Sequence, residues 1–139
     1  MKMNDNTVLI TGGSTGIGLA LAESFLKLEN DVIICGRREE RLIKAQKIHP
    51  NLYIKECDVS NEEGRNSLYN WVTENFKDLN ILINNAGIQR AIDFNEGIKG
   101  LKGENEIKIN FEGPRNKLNL SLKMVFSIYK CYFCITNFK

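Results

Sequence analysis

Little in this sequence is concentrated enough to act at a distance. Nineteen Lys and Arg against 17 Asp and Glu leave a net charge of +2, so no basic field marks it for nucleic acid or an anionic membrane surface. A long apolar run is also missing. The most apolar stretch, near the end, is broken by Lys123 and Lys130, whereas a membrane-spanning helix needs about 20 apolar residues; a surface-lying segment is the membrane alternative. The opening Met1-Lys2-Met3-Asn4-Asp5 lacks the apolar core of a secretory signal, so the expected setting is reducing and cytoplasmic. Four cysteines are scattered through the chain. Cys131 and Cys134 have the spacing of a metal or redox pair, but no second pair and no nearby His accompanies them. Cys35 and Cys57 read as small buried residues beside strand ends.

What remains is an ordinary globular composition, 42% hydrophobic and 26% charged over 139 residues, enough for one domain with a real core. Its most informative stretch is Thr11-Gly12-Gly13-Ser14-Thr15-Gly16-Ile17-Gly18. The apolar run Val8-Leu9-Ile10 precedes it as a buried parallel strand, and Ile17, Leu21, Phe25 and Leu28 follow near helical spacing. Strand, glycine turn and helix start together form the context that binds a dinucleotide phosphate. Gly12 suits a tight exit from the strand, Gly16 leaves room for backbone near a pyrophosphate, and Gly18 lets the helix approach the sheet. Free N–H groups at the helix start, aligned with its dipole, would face the anion.

The alternation continues. A strand over Asp31–Cys35 precedes a helix over about Arg38–Ile48, and Pro50 closes that unit. A third strand over Leu52–Glu56 leads through Asp58-Val59-Ser60 into a helix with Ser60 and Glu63 at capping-box spacing. Leu68, Trp71, Val72 and Phe76 give that helix one apolar face. Ile81-Leu82-Ile83 form a fourth strand, ending at Asn84-Asn85-Ala86-Gly87. Strands and helices in this rhythm predict an α/β, Rossmann-type doubly wound parallel sheet with right-handed crossovers. The expected order is 3-2-1-4, with ligand at the carboxyl edge where the winding reverses.

Three further features fall at that edge. After the second strand the sequence offers Gly36, Arg37 and Arg38, where an acid would bond a ribose 2′-hydroxyl and an Arg can pair with a 2′-phosphate. This favours NADP(H) over NAD(H), the alternative being solvated charges that open a helix. Asp58 can accept from an adenine amino group while Val59 supplies apolar contact; otherwise Asp58 helps to cap the next helix. Small residues at Asn85-Ala86-Gly87 let a ribose approach the backbone, and Asn85 can bond neighbouring main chain, although a plain turn uses the same residue types.

Thr11-Gly12-x-x-x-Gly16-x-Gly18, then Asp58-Val59, then Asn85-Ala86-Gly87 resemble, in order and spacing, the short-chain dehydrogenase/reductase family, and within it the DltE-type oxidoreductase subgroup. The resemblance covers about Asn6 to Pro114. It implies hydride transfer between a nicotinamide cofactor and a small carbonyl or alcohol substrate. Cofactor contacts would come from Gly12, Ser14, Thr15, Gly16, Ile17, Gly18, Arg37, Arg38, Asp58, Val59, Asn85, Ala86 and Gly87. On the residues alone Asn110 reads as a solvent-facing helical Asn; the similarity of Ile107-x-Ile109-Asn110-x-x-Gly113-Pro114 to the family's long helix reverses this and implies that Asn110 would organise a proton-relay water. Thr15 stands where many NADP(H) members carry a basic residue, while Arg37 keeps the NADP(H) reading in favour.

The family's catalytic pair is absent. It consists of a Tyr and a Lys four residues later, with a Ser that orients the substrate. Here Tyr53, Tyr69, Tyr129 and Tyr132 are followed at that spacing by Cys57, Thr73, Phe133 and Thr136. From Gly113 onward there is no Asp or Glu, and aromatic residues alternate with Lys and Arg. The expected organisation is therefore a partial Rossmann-type domain over 1–114 and a divergent basic, aromatic tail over 115–139, as from a truncated or frame-shifted gene. The fourth strand would then expose an edge that invites self-association, unless Lys123-Met124-Val125-Phe126-Ser127-Ile128 supplies a makeshift fifth strand. Three functions follow: an oxidoreductase of the family, catalytically incomplete in this chain; a non-catalytic NADP(H)-binding remnant or regulator; or a fragment whose tail docks on a protein or membrane.

Overall fold

The computed structural model describes residues 3–87 and the strand at 133–136. In chain order the elements are β1 (Thr7–Thr11), α1 (Gly16–Lys27), β2 (Asp31–Gly36), α2 (Glu39–Ile48), β3 (Leu52–Glu56), α3 (Glu62–Asn75), β4 (Leu79–Asn84) and β5 (Phe133–Thr136). The strands form one sheet in the order β3-β2-β1-β4-β5, every neighbouring pair parallel. The expected 3-2-1-4 order is therefore the observed one.

Each central strand is a continuous apolar run because both faces of the sheet are covered. Successive side chains alternate between the faces. Val8, Ile10, Val32, Ile34, Ile81 and Ile83 point to one side, where Ala22 of α1 and Leu42 and Ala45 of α2 pack on them. Leu9, Ile33, Cys35, Leu79 and Leu82 point to the other, beneath Leu68 and Val72 of α3. Burial of each such aliphatic side chain stabilises the fold by about 1.5–3 kcal/mol.

Two expectations change on the helices. The face that α1 turns to the sheet is centred on Gly18 and Ala22, with Leu21 and Phe25 beside them, whereas Ile17 and Leu28 are 52% and 41% exposed. Small residues at the contact bring the helix in close. The N-cap of α3 is Asn61 rather than Ser60: the Asn61 side chain accepts from the Gly64 N–H at 2.6 Å. The reason lies just upstream, where the Ser60 N–H is already donated to Asp58 Oδ1 at 2.8 Å, which delays the helix.

The edge expected to lie bare along β4 is paired. Ile81↔Phe133 through Asn84↔Thr136 form a parallel ladder with β5. This strand lies downstream of Lys123–Ile128, the segment expected to supply it, which falls outside the described residues. At the amino ends of the strands, three asparagines tie the sheet together. Asn30 Oδ1 accepts from the Asn6 main chain and side chain, and Asn80 donates to Asn6 Oδ1 at 3.0 Å. The β1–β4 register slips between Thr7 and Val8, and there Asn80 Oδ1 accepts the Thr7 N–H in place of a ladder carbonyl.

Candidate functional site

The ladders align Thr11 with both Cys35 and Asn84, so the carboxyl ends of β1, β2 and β4 meet at one edge. There β1 empties into the glycine turn. Gly12 has a φ of +67° and donates its N–H to the Cys35 carbonyl at 2.8 Å. A Cβ on it would stand 2.9 Å from the Ala86 Cα. Gly18 is buried in the first turn of α1, where a Cβ would run into the Gly12 carbonyl and the Asn85 side-chain amide. Tight exit and close helix approach, the roles expected of these two residues, are thus what the geometry requires.

Between them the turn opens outward. Gly16, also at positive φ, has nothing within 4 Å of the place where a Cβ would lie. Thr15, Gly16 and Ile17 are exposed, and the Thr15 side chain makes no capping hydrogen bond at the start of α1. The first amides of the helix are consequently left for an external acceptor.

The floor is set by a hydroxyl that sequence reading passed over. Thr11 Oγ1, on a residue 1% exposed, accepts from the Asn85 and Ala86 N–H groups, each at 3.1 Å. Asn85 returns the contact: its side-chain amide donates to the Thr11 and Gly12 carbonyls, each at 3.2 Å. The end of β4 is stitched to the end of β1, which holds Ala86 and the exposed Gly87 beside the glycine turn. The expected main-chain role of Asn85 is the observed one.

On the other side, Ser14 lies against Gly36 at the end of β2, and Arg37 and Arg38 follow there, both exposed. The Cys57 N–H donates to the Gly36 carbonyl at 2.9 Å, which brings Asp58 to the same rim. Burial pushes the Asp58 carboxyl up, but the Ser60 hydroxyl and N–H, together with the Arg37 and Arg65 charges, hold it below its ordinary value. It stands there as a carboxylate acceptor. Val59, 8% exposed, packs its side chain in the core with Leu68 and Val72, and its carbonyl accepts from Arg65 Nη1 at 3.1 Å.

Asn110 lies outside the described residues, as does Cys131. Among the described residues no group of three or more His, Cys, Asp or Glu could hold a metal ion, and no helix is long and apolar enough to cross a membrane. Besides Thr11, sequence reading missed Gly13, where a Cβ would meet Ile34 Cγ2 at 2.5 Å, and Arg65, 8% exposed on α3. Arg65 had a legible signal: it occupies the apolar stripe continued by Leu68 and Val72.

A parallel sheet in 3-2-1-4 order, whose first strand runs through a glycine turn into an open helix start, defines a Rossmann-type fold. Residues 6–126 match the short chain dehydrogenase family, and the chain belongs to that family of oxidoreductases. The match runs past Pro114, the expected domain boundary. The chain is 52% identical over 115 residues to the uncharacterized oxidoreductase DltE of Bacillus subtilis (strain 168), covering 82% of this chain and 46% of that protein. The NADP-dependent 3-hydroxy acid dehydrogenase YdfG of Shigella flexneri is 34% identical over 87 residues, 62% of this chain and 35% of that one. A crystal structure of a short chain dehydrogenase from Bacillus anthracis str. 'Ames Ancestor' superimposes with a TM-score of 0.78 at 27% identity, over 89% of this chain and 53% of that one. The chain therefore spans about half or less of the length of these relatives.

Proposed function

We propose that this edge binds a nicotinamide dinucleotide, NADP(H) in preference to NAD(H), and that the chain is the cofactor-binding part of a short-chain oxidoreductase acting on a small carbonyl or alcohol. The carrying observation is the open glycine turn: Gly16 faces empty space over α1 amides that the Thr15 side chain does not cap. The residues fit the group. Gly12, Ser14, Thr15, Gly16, Ile17 and Gly18 shape the diphosphate cradle, with the helix dipole favouring the anion. Arg37 and Arg38 meet a 2′-phosphate beside Ser14, which supports NADP(H), as does the NADP dependence printed for the Shigella relative. Asp58 accepts from the adenine amino group while the Val59 backbone lines the same end, and Asn85, Ala86 and Gly87 admit the nicotinamide ribose.

The bound cofactor supplies the hydride; the chain orients it and excludes water. Asn110 would hold a relay water, as its match to the family helix implies. A second reading, cofactor binding without turnover, is favoured by the absence of any Tyr followed four residues later by Lys. A cytoplasmic setting goes with both readings, supported by Cys35 and Cys57 being buried thiols. Calorimetric titration with NADPH and NADH, followed by a carbonyl-reduction assay, tests them. Tighter binding of NADPH with turnover supports the first reading, binding without turnover the second, and no heat with either cofactor overturns both.

A further inference from the structure

Arg65 is an oddity in energetic terms. It sits on the core-facing stripe of α3, where burial of a guanidinium is costly unless every donor finds a partner. Only part of it does so: Nη1 donates to the Val59 carbonyl at 3.1 Å, while Nε is buried with no hydrogen-bond partner among the described residues. A well-packed apolar residue there would serve the fold as well or better.

What Arg65 does touch is the loop leading to the rim. That loop is held from several directions: Asp58 Oδ1 takes the Ser60 N–H, Asn61 caps Gly64, and Cys57 Sγ bonds the Gly64 carbonyl at 3.2 Å. A Cβ on Gly64 would collide with the Asp58 carbonyl, so the helix start presses directly on the loop. Among the described residues, the charged side chain bonding this loop from beneath is Arg65, and it does so at Val59, whose own side chain is turned into the core.

We propose that Arg65 is a positioning residue for the adenine end of the dinucleotide: by holding the Val59 carbonyl from the core side, it fixes the direction in which the Asp58–Val59 backbone and the Asp58 carboxylate meet the base. The inference rests on the cofactor reading above. It also explains why the charge is tolerated, since its field falls on Asp58 together with that of Arg37. Arg65 touches no ligand itself. It acts through the loop.

The test separates positioning from structural support. Arg65→Met keeps the volume and removes the bond and charge. It is expected to unfold in urea at the same or a higher midpoint than the parent, yet to bind NADPH and 2′,5′-ADP about tenfold more weakly, the low end for a charge-assisted hydrogen bond. Binding of reduced nicotinamide mononucleotide, which lacks the adenine, should not change. Arg65→Lys, which keeps charge and a donor, should recover part of the affinity. Equal loss for both halves of the cofactor, or no loss for either, overturns the proposal. If the Met variant does not fold, the parent still decides: 2′,5′-ADP should slow exchange of the Arg65 guanidinium protons and shift the Asp58 carboxyl resonance, and the absence of both changes overturns it. A parent chain that binds neither NADPH nor 2′,5′-ADP sinks the cofactor reading instead.

Discussion

At Thr11 one buried oxygen takes two main-chain N–H groups, those of Asn85 and Ala86, the first of which also reaches the Ile83 carbonyl at 3.1 Å. Thr11→Val keeps the shape and removes the acceptor. We expect a loss of about 1 kcal/mol, the net worth of the hydrogen bonds removed, read as a lower urea midpoint. Asp58 makes a pH-dependent contribution of definite sign. Its carboxyl is held below the ordinary 3.8 in the folded chain, so its stabilisation is full above that value and is lost as pH falls through the folded value. Asp58→Asn should therefore be less stable than the parent at neutral pH, and in acid unfolding experiments the gap should begin to close only below the ordinary carboxyl value of 3.8 and vanish once pH has passed the lower folded value. Glycines were the legible residues, because Gly12 and Gly18 stand in a turn whose geometry admits no side chain. Thr11 was not, and of Arg65 only the burial was legible from its place on the apolar stripe, since what both do depends on main-chain atoms brought near only by folding.

Elements were legible where the apolar period was uninterrupted. β1 to β4 and the three helices among the described residues could be read because a doubly covered parallel strand is an apolar run and a surface helix shows one apolar stripe. Helix starts were less so, since several residues in a row can cap. At α3 the Asp58–Ser60 turn engages the Ser60 hydroxyl, which a Ser60 cap would use, and its N–H, which Glu63 would accept in a capping box, and Asn61 takes over. Asn61→Ala should cost about 1 kcal/mol in thermal or urea unfolding, and Ser60→Ala should cost less of the cap energy. The pairing of β5 was legible only as a need of β4 for a neighbour. Which residues meet that need is a matter of chain reach, and Phe133–Thr136 carries no signal that sets it apart from its surroundings.

For the whole molecule, a net charge of +2 conceals a division. Asp5, Glu29, Asp31 and Asp78 line the recess at the amino ends of the strands, while at the carboxyl rim Arg37 and Arg38 stand among the carboxylates of Asp58, Glu39 and Glu40. Summed charge excluded a field over the whole surface but could not show this placement, which exists only once the parallel strands set all their ends alike. An anionic group at the carboxyl rim would be held by the two arginines locally rather than by a field over the whole rim. Arg37→Glu should accordingly cut NADPH affinity and leave NADH binding nearly unchanged, shifting the ratio by about tenfold or more in competitive titration.

The central place of β1 also bears on how the protein is born. Made before both of its neighbours, this strand finds one only when Asp31–Gly36 has left the ribosome and the other only after Leu79–Asn84 has followed. Until then a strand with both flanks unpaired travels with the nascent chain, which makes slow synthesis or a delayed chaperone costlier here than in a protein whose first strands form a hairpin.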